Sequence, residues 1–417
     1  MEAVILAAGF GTRMGGEKPK PLLPLFGIPI VEHNIRKLLT SKINKITIVY
    51  HDERIKDYLE SKFRNLNFVY NNAPERENGY SLYFARNDVK DDFILLMADH
   101  FFEDSFFSSI SSEETHTAFV SSYCDDPDEA TKVSVEGDLV RKIGKRLEKY
   151  DYFDTGFFYC KPDIFNYIEK LSSEKEKIKL AEVFQKIADE NRLKWKSVDG
   201  FWIDIDTPEE LKKAEKYISG SLSKESDGYI SKKINRKFST PISRLLVKYD
   251  FLTPNRITII STLIGLIPFI FFAFGKFVAG GIFTQIASII DGCDGEVARI
   301  KKLSSRKGAV LDSLLDRYVD IFIMFGIFLP FSSSITGKIS FFLAVTGTIL
   351  VSYISHMTGI RPKFITRDAR LFLIMLGGLL TPLSKEIMLY TLLLTGILSH
   401  LGIFYTLVRF FREKSLE

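Results

Sequence analysis

From about residue 257 to the C-terminus, apolar runs follow one another with only short polar breaks. A helical bundle in a bilayer is the arrangement that accepts such a succession, because helices satisfy their own backbone polar groups in lipid. Six candidate spans can be marked, at about 257–274, 277–290, 310–330, 338–356, 371–384 and 387–409. The second and fifth fall short of the roughly 20 residues a crossing needs, so their polar ends must meet a protein-lined, wet cavity. Residues 1 to about 220 are different in kind, mixing charged and apolar residues as a soluble domain does. The overall 46% hydrophobic content averages over this break and conceals it.

The polar breaks orient the bundle. With six spans, one side receives the N-terminal half, Arg299, Lys301, Lys302, Arg306, Lys307, Arg361, Lys363, Arg367, Arg370, Arg409, Arg412 and Lys414. The other side receives Lys276, Lys338 and Lys385. By the positive-inside rule the expectation is a multi-pass protein of the cell membrane, with the N-terminal domain and the C-terminus cytoplasmic. A net charge of +4 is too small to point to nucleic acid. Cys124, Cys160 and Cys293 lack both a disulfide framework and metal-ligand spacing, and the start MEAVILAAGFGTRM lacks the features of a signal peptide. Between the halves, the polar 219–228 segment reads as a linker. In the segment after it, Ile230, Ile234, Phe238, Ile242, Leu245 and Leu246 recur at helical spacing among basic residues. That pattern predicts an interfacial helix on anionic headgroups, kinked or broken at Pro241.

The second span runs into Asp291-Gly-Cys-Asp294-Gly295-Glu-Val-Ala298-Arg299, followed by Gly308, Asp312 and Asp316. On helices, residues three or four apart share a face, so each aspartate pair projects together. Four carboxylates at a bilayer edge call for neutralisation, and an oxygen-only set suits Mg²⁺ or Mn²⁺. Gly292, Gly295 and Gly308 leave room where a nucleotide or a neighbouring helix must come close.

This stretch resembles the CDP-alcohol phosphotransferase family, whose signature D-x2-D-G-x2-A-R-x8-G-x3-D-x3-D is met at every fixed position. The resemblance covers about residues 240–410. It implies two metal ions held by Asp291, Asp294, Asp312 and Asp316, and a CDP-linked donor bound near Gly292, Gly295, Arg299 and Gly308. It also implies Asp316 as base for the acceptor hydroxyl, with CMP as leaving group. Asp320, one helical turn further, lies outside the signature and reads as a supporting residue. The 361–370 loop concentrates Arg361, Lys363, Arg367 and Arg370. Positive-inside topology alone accounts for such a cluster; the functional reading is a pocket for a phosphorylated acceptor, with Arg367 and Arg370 the preferred pair.

In the first half, the apolar runs EAVILAA, KITIVY, NFVY, FILLMAD and TAFVSSY alternate with helical patterns, which argues for an α/β sheet with a nucleotide at the strand carboxyl ends. The loop after the first run has glycines, but Met14 stands where a dinucleotide fingerprint needs a third one. The order LAAGFGTRM, Lys18-Pro-Lys20-Pro, Asp99 and Trp202-Ile-Asp204-Ile-Asp206 resembles the sugar-nucleotidyltransferase family over residues 1–220. The resemblance implies that Gly9, Gly11, Thr12 and Arg13 cradle an NTP, that Lys20 stabilises the α-phosphate, and that Asp99 and Asp204 hold one or more ions. Asp206 competes with Asp204 as ligand, or caps the helix that begins at Pro208. Gly79 and Ser81 stand in a segment that resembles the base-reading stretch and reads equally as a helix start. Lys142, with Lys145 and Arg146, could receive a phosphate or form a solvated strand face. His100 reads as structural.

The expected architecture is a Rossmann-like mixed-sheet α/β domain over 1–220, a linker and interfacial helix over 221–256, and an all-α six-helix membrane domain over 257–410. This order resembles the bifunctional inositol-1-phosphate cytidylyltransferase and di-myo-inositol-phosphate-phosphate synthase family. The resemblance implies CTP and inositol-1-phosphate giving CDP-inositol and pyrophosphate, and then transfer to a second inositol-1-phosphate with release of CMP. The product would be the precursor of a compatible solute, and a homodimer is usual in the membrane family. The rival expectation is phospholipid synthesis of the phosphatidylinositol-phosphate type. A third, a transporter or scaffold with a degenerate enzyme domain, conflicts with the intact aspartate and lysine motifs.

Overall fold

The computed structural model describes residues 1–9, 18–223 and 227–414. It divides into two compact units, Met1–Ile218 and Ser219–Glu417.

The first unit is built on a nine-stranded mixed sheet. Glu2–Ala7, fully buried, pairs in parallel with Lys45–Tyr50 on one side and Phe93–Met97 on the other. A strand buried on both faces must be apolar throughout, which is why EAVILA reads as a continuous run. Tyr152–Cys160 then lies antiparallel to Phe93–Met97 and carries the sheet into its second half through His116–Ser121. Phe157 meets the rings of Phe102, Phe106, Phe107 and Phe119 at centroid separations of 5.1–5.7 Å. Each such aromatic pair adds about 1 kcal/mol beyond its burial, so the strand ends above this cluster are firmly seated.

A separate two-stranded ribbon does the positioning that matters for chemistry. Just past Phe93–Met97, His100–Phe102 pairs antiparallel with Trp202–Asp204, in a register that puts Asp204 opposite His100. The Ile205 backbone N–H donates to the Asp99 carbonyl at 3.2 Å and locks the crossing. Two segments distant in sequence thereby place three polar side chains on one spot.

In the second unit the helices are Pro254–Gly265 continuing as Ile267–Ala273, Phe277–Ile300, Arg306–Phe328, Ile335–Thr358, Arg367–Leu380 and Glu386–Lys414. Among the described residues, Pro254–Ala273, Ile335–Thr358 and Glu386–Arg412 are long and apolar enough to cross a membrane. The other three differ from the expectation for definite reasons. Phe277–Ile300 does not stop at residue 290 but carries the Asp291–Arg299 segment inside the same helix. Arg306–Phe328 carries Arg306, Lys307, Asp312, Asp316, Arg317 and Asp320 along its N-terminal part, and Arg367–Leu380 has only 14 residues.

The amphipathic helix forms, as a π-helical turn over Ser231–Asn235 running into Arg236–Leu246. Pro241 neither breaks nor ends it. Ser231, Asn235, Ser239 and Ser243, one turn apart, are its buried face, while Phe238 is 57% and Leu245 52% exposed. The polar stripe docks on Phe277–Ile300 and on the start of Arg367–Leu380: Ser239 Oγ donates to Glu296 at 2.6 Å, and Asn235 Nδ2 donates to Ser288 and Asp368, each at 3.0 Å. The apolar side is thus the side left uncovered within this unit. Cys124, Cys160 and Cys293 are all free thiols.

Candidate active site

Among the described residues, a cluster of carboxylates stands in each unit, and each cluster contains a cation of the chain itself. In the first unit, Lys20 opens a short 3-10 turn between Pro19 and Pro21 and is 6% exposed. Its Nζ lies 2.7 Å from Asp99, 3.0 Å from Asp204 and 2.5 Å from Asp206. Burial works against the ammonium charge, but Asp99 and then Asp204 outweigh it and hold the Lys20 pKa above its usual range. Asp204 is held below the usual carboxylate range: burial would raise it, and His100 and Lys20 more than reverse that. For His100 burial again opposes the charge, and the nearby Asp204 and Asp99 push it up to about 9.

Asp99, His100, Asp204 and Asp206 line a cavity of about 1150 Å³, together with Asp154, Gly156, Lys145, Arg146 and Lys179. Asp154, whose carboxylate accepts from the Gly156 N–H, is pushed up to about 6 by burial. A pocket of this size, with both signs of charge along its lining, suits a nucleotide and a phosphorylated partner better than an apolar ligand.

In the second unit, Asp291, Asp312 and Asp316 bring carboxylate oxygens within 4.8 Å of one another. Arg367 projects into them from the first position of its helix, with Thr366 as cap. Its guanidinium is 2.6 Å from Asp291, 2.9 Å from Asp316 and 2.9 Å from Asp320. Beside this trio, the Asp294 carboxylate accepts from the Thr258 hydroxyl at 2.5 Å. Asp320 is 1% exposed and also meets Arg370 at 3.6 Å and Arg317 at 3.8 Å.

Both halves match known families: residues 3–140 match the MobA-like NTP transferase domain, and residues 251–408 match the CDP-alcohol phosphatidyltransferase family. A bifunctional IPC transferase and DIPP synthase of Archaeoglobus fulgidus is 39% identical, over 98% of this chain and 84% of that protein. The chain belongs to the bifunctional IPC transferase and DIPP synthase family. Other members similar to it come from Aquifex aeolicus, 35% identical over 91% of this chain and 92% of that one, and Thermococcus kodakarensis, 37% identical over 84% and 81%. The solved inositol-1-phosphate CTP transferase from T. maritima covers 52% of this chain and 96% of its own, with 28% identity and a TM-score of 0.47; the sequence relatives, not that overlay, carry the assignment. As a member of this family the chain is a transferase, and its two acidic clusters are where its sites should be sought.

The donor sets fit divalent cations. Three carboxylates converging on one point are unfavourable without positive charge, and a chain cation already sits at each convergence. Asp99, His100 and Asp204 form the three-residue group in the first unit. Asp206 is outside that group and, like Asp99 and Asp204, meets Lys20. At the start of the helix Pro208–Ser221, Thr207 Oγ accepts from Glu210 N–H at 3.3 Å while the Glu210 carboxylate accepts from the Asp206 and Thr207 N–H groups at 2.7 Å.

Several expected residues stand elsewhere. Gly11, Thr12 and Arg13 lie outside the described residues; Gly9 is exposed, with open space where a Cβ would point. Gly79 and Ser81 are interior residues of the helix Glu77–Tyr83. A Cβ on Gly79 would come within 2.8 Å of the Ile178 carbonyl, and the Ser81 hydroxyl takes the Asn71 amide at 2.9 Å. Glu77 and Asn78 face the cavity in their place. Lys142 is exposed on its strand and outside the cavity, because side chains alternate along a strand and Ile143 takes the inward position. Arg370 is buried and committed to Asp320 and the Ile365 carbonyl, whereas Arg361 and Lys363 are exposed.

Arg299 donates to the Leu222 carbonyl at 2.9 Å. Gly308 is the third residue of its helix, its N–H capped by Ser305 at 3.0 Å, and a Cβ there would meet Asn255 at 3.1 Å. On Gly295 a Cβ would meet Arg299 at 3.3 Å; Gly292 has looser surroundings, with the Arg236 side chain at 3.7 Å. Sequence reasoning missed Thr258, Lys179 and the approach of His100 to the carboxylates. A threonine in an apolar helix and a lysine in a charged loop carry no local signal, and Asp204 meets His100 only through strand pairing.

Proposed function

We propose that the chain performs two consecutive transfers: CTP and inositol-1-phosphate give CDP-inositol and pyrophosphate, and CDP-inositol with a second inositol-1-phosphate gives di-myo-inositol phosphate phosphate and CMP. The observation that carries this reading is the presence of both acidic clusters in one chain whose relatives, matched over most of their length, are named for both activities. The division of labour assigns the nucleotidyl step to residues 1–220 and the phosphotransfer step to 257–410.

In the first site Asp99 and Asp204 would hold Mg²⁺ or Mn²⁺. Lys20, with Asp206 as its retained partner, offsets the charge that grows on the α-phosphate as the inositol phosphate oxygen attacks and pyrophosphate departs. Lys145, Arg146 and Lys179 supply positive charge in the cavity for the incoming phosphate. Gly11, Thr12 and Arg13 complete the triphosphate cradle.

In the second site Asp291, Asp294, Asp312 and Asp316 would hold two ions, which would supply charge neutralisation at the donor diphosphate. Asp316 accepts the proton of the acceptor hydroxyl as that oxygen bonds to phosphorus and the bond to CMP breaks. Arg367 is bound by Asp291 and Asp316 while these carry uncompensated charge; neutralising them leaves the guanidinium, at a helix N-terminus, available to the acceptor phosphate with Arg361 and Lys363.

The topology that supports this chemistry is six spans, with the N-terminal domain, the basic loops and the C-terminus on the cytoplasmic side. The exposed Phe238, Ile242 and Leu245 face rests on lipid, and the protein forms a homodimer. Purified protein in detergent with Mg²⁺, CTP and inositol-1-phosphate, followed by phosphorus NMR, tests the two-step reading. Wild type is expected to release pyrophosphate and CMP and to form a phosphodiester, while Asp316→Asn stops at CDP-inositol. Consumption of CTP with only another phosphorylated alcohol would remove inositol from the reading, and transfer to a lipid acceptor alone would replace the second step by phospholipid synthesis.

A further inference from the structure

We infer that His100 is a ligand of the cation in the nucleotidyl-transfer site, through Nε2, so that this site is a mixed nitrogen–oxygen site while the membrane site is carboxylate only. The inference rests on the nucleotidyl-transfer reading above and adds a residue to it.

The ring is fixed from several directions. Its Nδ1 lies 3.0 Å from the Thr155 carbonyl oxygen. A carbonyl only accepts, so Nδ1 carries a proton, and in the neutral ring Nε2 is left with the lone pair. That nitrogen is 3.5 Å from Asp204 Oδ2 and 3.9 Å from Asp99 Oδ1. Adjacent donors each about 2.1 Å from one ion stand about 3–4 Å apart, so Nε2 has ligand spacing to both carboxylates before any ion arrives, and the three donor atoms lie within 4.8 Å of one another. A ring whose far N–H is held by a backbone carbonyl is the usual arrangement of a metal-binding histidine, since that bond sets both tautomer and orientation.

The neighbouring backbone preserves this orientation. Gly156 has φ +75°, and a Cβ there would come within 2.8 Å of His100 Cε1 and 2.9 Å of Nδ1. A side chain at 156 would therefore drive the imidazole off the carbonyl that orients it. Asn34 Nδ2 donates to the His100 backbone oxygen at 2.7 Å and fixes the main chain from the opposite flank. The register that faces His100 with Asp204 belongs to the same ribbon. An imidazolium merely paired with the two aspartates could occupy the same place. It would add a second cation beside Lys20 and repel an arriving divalent ion, so the ring that coexists with bound metal is the neutral one.

Imidazole favours Mn²⁺, Co²⁺ and Zn²⁺ over Mg²⁺ more than carboxylate does. The two sites of one chain should therefore differ in metal preference. The test uses the full chain in detergent carrying Asp291→Asn, Asp312→Asn and Asp316→Asn, so that Mn²⁺ added at one equivalent reports the first site. Pulsed EPR is expected to show the ¹⁴N modulation of a directly bound imidazole, replaced by ¹⁵N coupling when only the histidines are labelled. His100→Asn should abolish the coupling and weaken Mn²⁺ binding roughly tenfold or more, with Mg²⁺ affected less. Bound Mn²⁺ without nitrogen coupling in the protein that retains His100 overturns the inference and leaves the nucleotidyl reading standing. Failure of that protein to bind Mn²⁺ at all overturns both. The decisive spectrum needs no change at His100, so a folding defect in the substituted protein cannot decide it.

Discussion

Lys20 and Arg367 occupy equivalent electrostatic positions in the two units, each surrounded by three aspartates, yet they reach them by different means. Lys20 is a point charge at the start of a 3-10 turn, and its partners Asp99, Asp204 and Asp206 are 34%, 43% and 28% exposed. Arg367 is a planar fork at a helix N-terminus, and its partners Asp291, Asp316 and Asp320 are 25%, 16% and 1% exposed. The first cluster is wetter and screened; the second is drier, so its unpaired charge is more costly. A wet cluster can exchange its lysine for an ion with little structural consequence. In the dry cluster, folding and ion binding are coupled more tightly.

The largest effect should separate the two chemistries. Asp312→Asn is expected to lower the second transfer roughly a thousandfold, corresponding to several kcal/mol of lost charge stabilisation, while leaving the first intact. Phosphorus NMR would then show pyrophosphate and an accumulating CDP-linked alcohol. Loss of both transfers together would mean the clusters are not independent sites. Lys20→Ala is the reciprocal change. It should slow pyrophosphate release by about 10²–10³, and supplied CDP-inositol should restore CMP formation to the wild-type rate.

Stability sharpens the contrast between wet and dry. Without divalent ions, Arg367→Ala removes the shared cation of Asp291 and Asp316, while Asp320 keeps Arg370 and Arg317, and should destabilise the second unit by about 3–5 kcal/mol, with much of the loss recovered in Mg²⁺. Lys20→Ala should cost its own unit less, because its partners are better solvated. Melting curves of both variants in EDTA and in Mg²⁺ read this directly, and equal shifts would dissolve the distinction. The smallest effect belongs to Thr258→Ala. Removing a hydroxyl bonded to a buried carboxylate should cost about 2 kcal/mol, with Thr258→Ser recovering most of it in the same melts.

The apolar runs of the first half were legible as strands because full burial on both faces demands continuous hydrophobicity, and EAVILA, KITIVY and FILLM all fold so. The aspartate signature was legible because helical spacing alone aligns Asp312 with Asp316. The amphipathic helix was legible in its pattern, and so was the apolar face it leaves uncovered within its unit. Its polar face was not legible as an interior one: nothing local to Asn235 and Ser239 marks them for burial, and folding sets Ser288 and Glu296 against them.

The partners were harder to read than the motifs. Arg367 was readable as a phosphate-seeking cation and Arg370 as its twin, but folding gives the first to three aspartates and buries the second beside Asp320. Asp204 and Asp206 were indistinguishable on paper: strand pairing sets Asp204 opposite His100, Asp206 lies past the strand end and outside the group of Asp99, His100 and Asp204, and both meet Lys20. Periodicity and spacing are properties of one segment, so the residues alone were enough to reveal the elements, the break between the halves and both acidic motifs. Which cation enters which cluster, which aspartate groups with a histidine and where that ring lies depend on segments brought together from far along the chain. Those questions were settled only by the packing of the folded protein, because charge and distance act through space and not along the sequence.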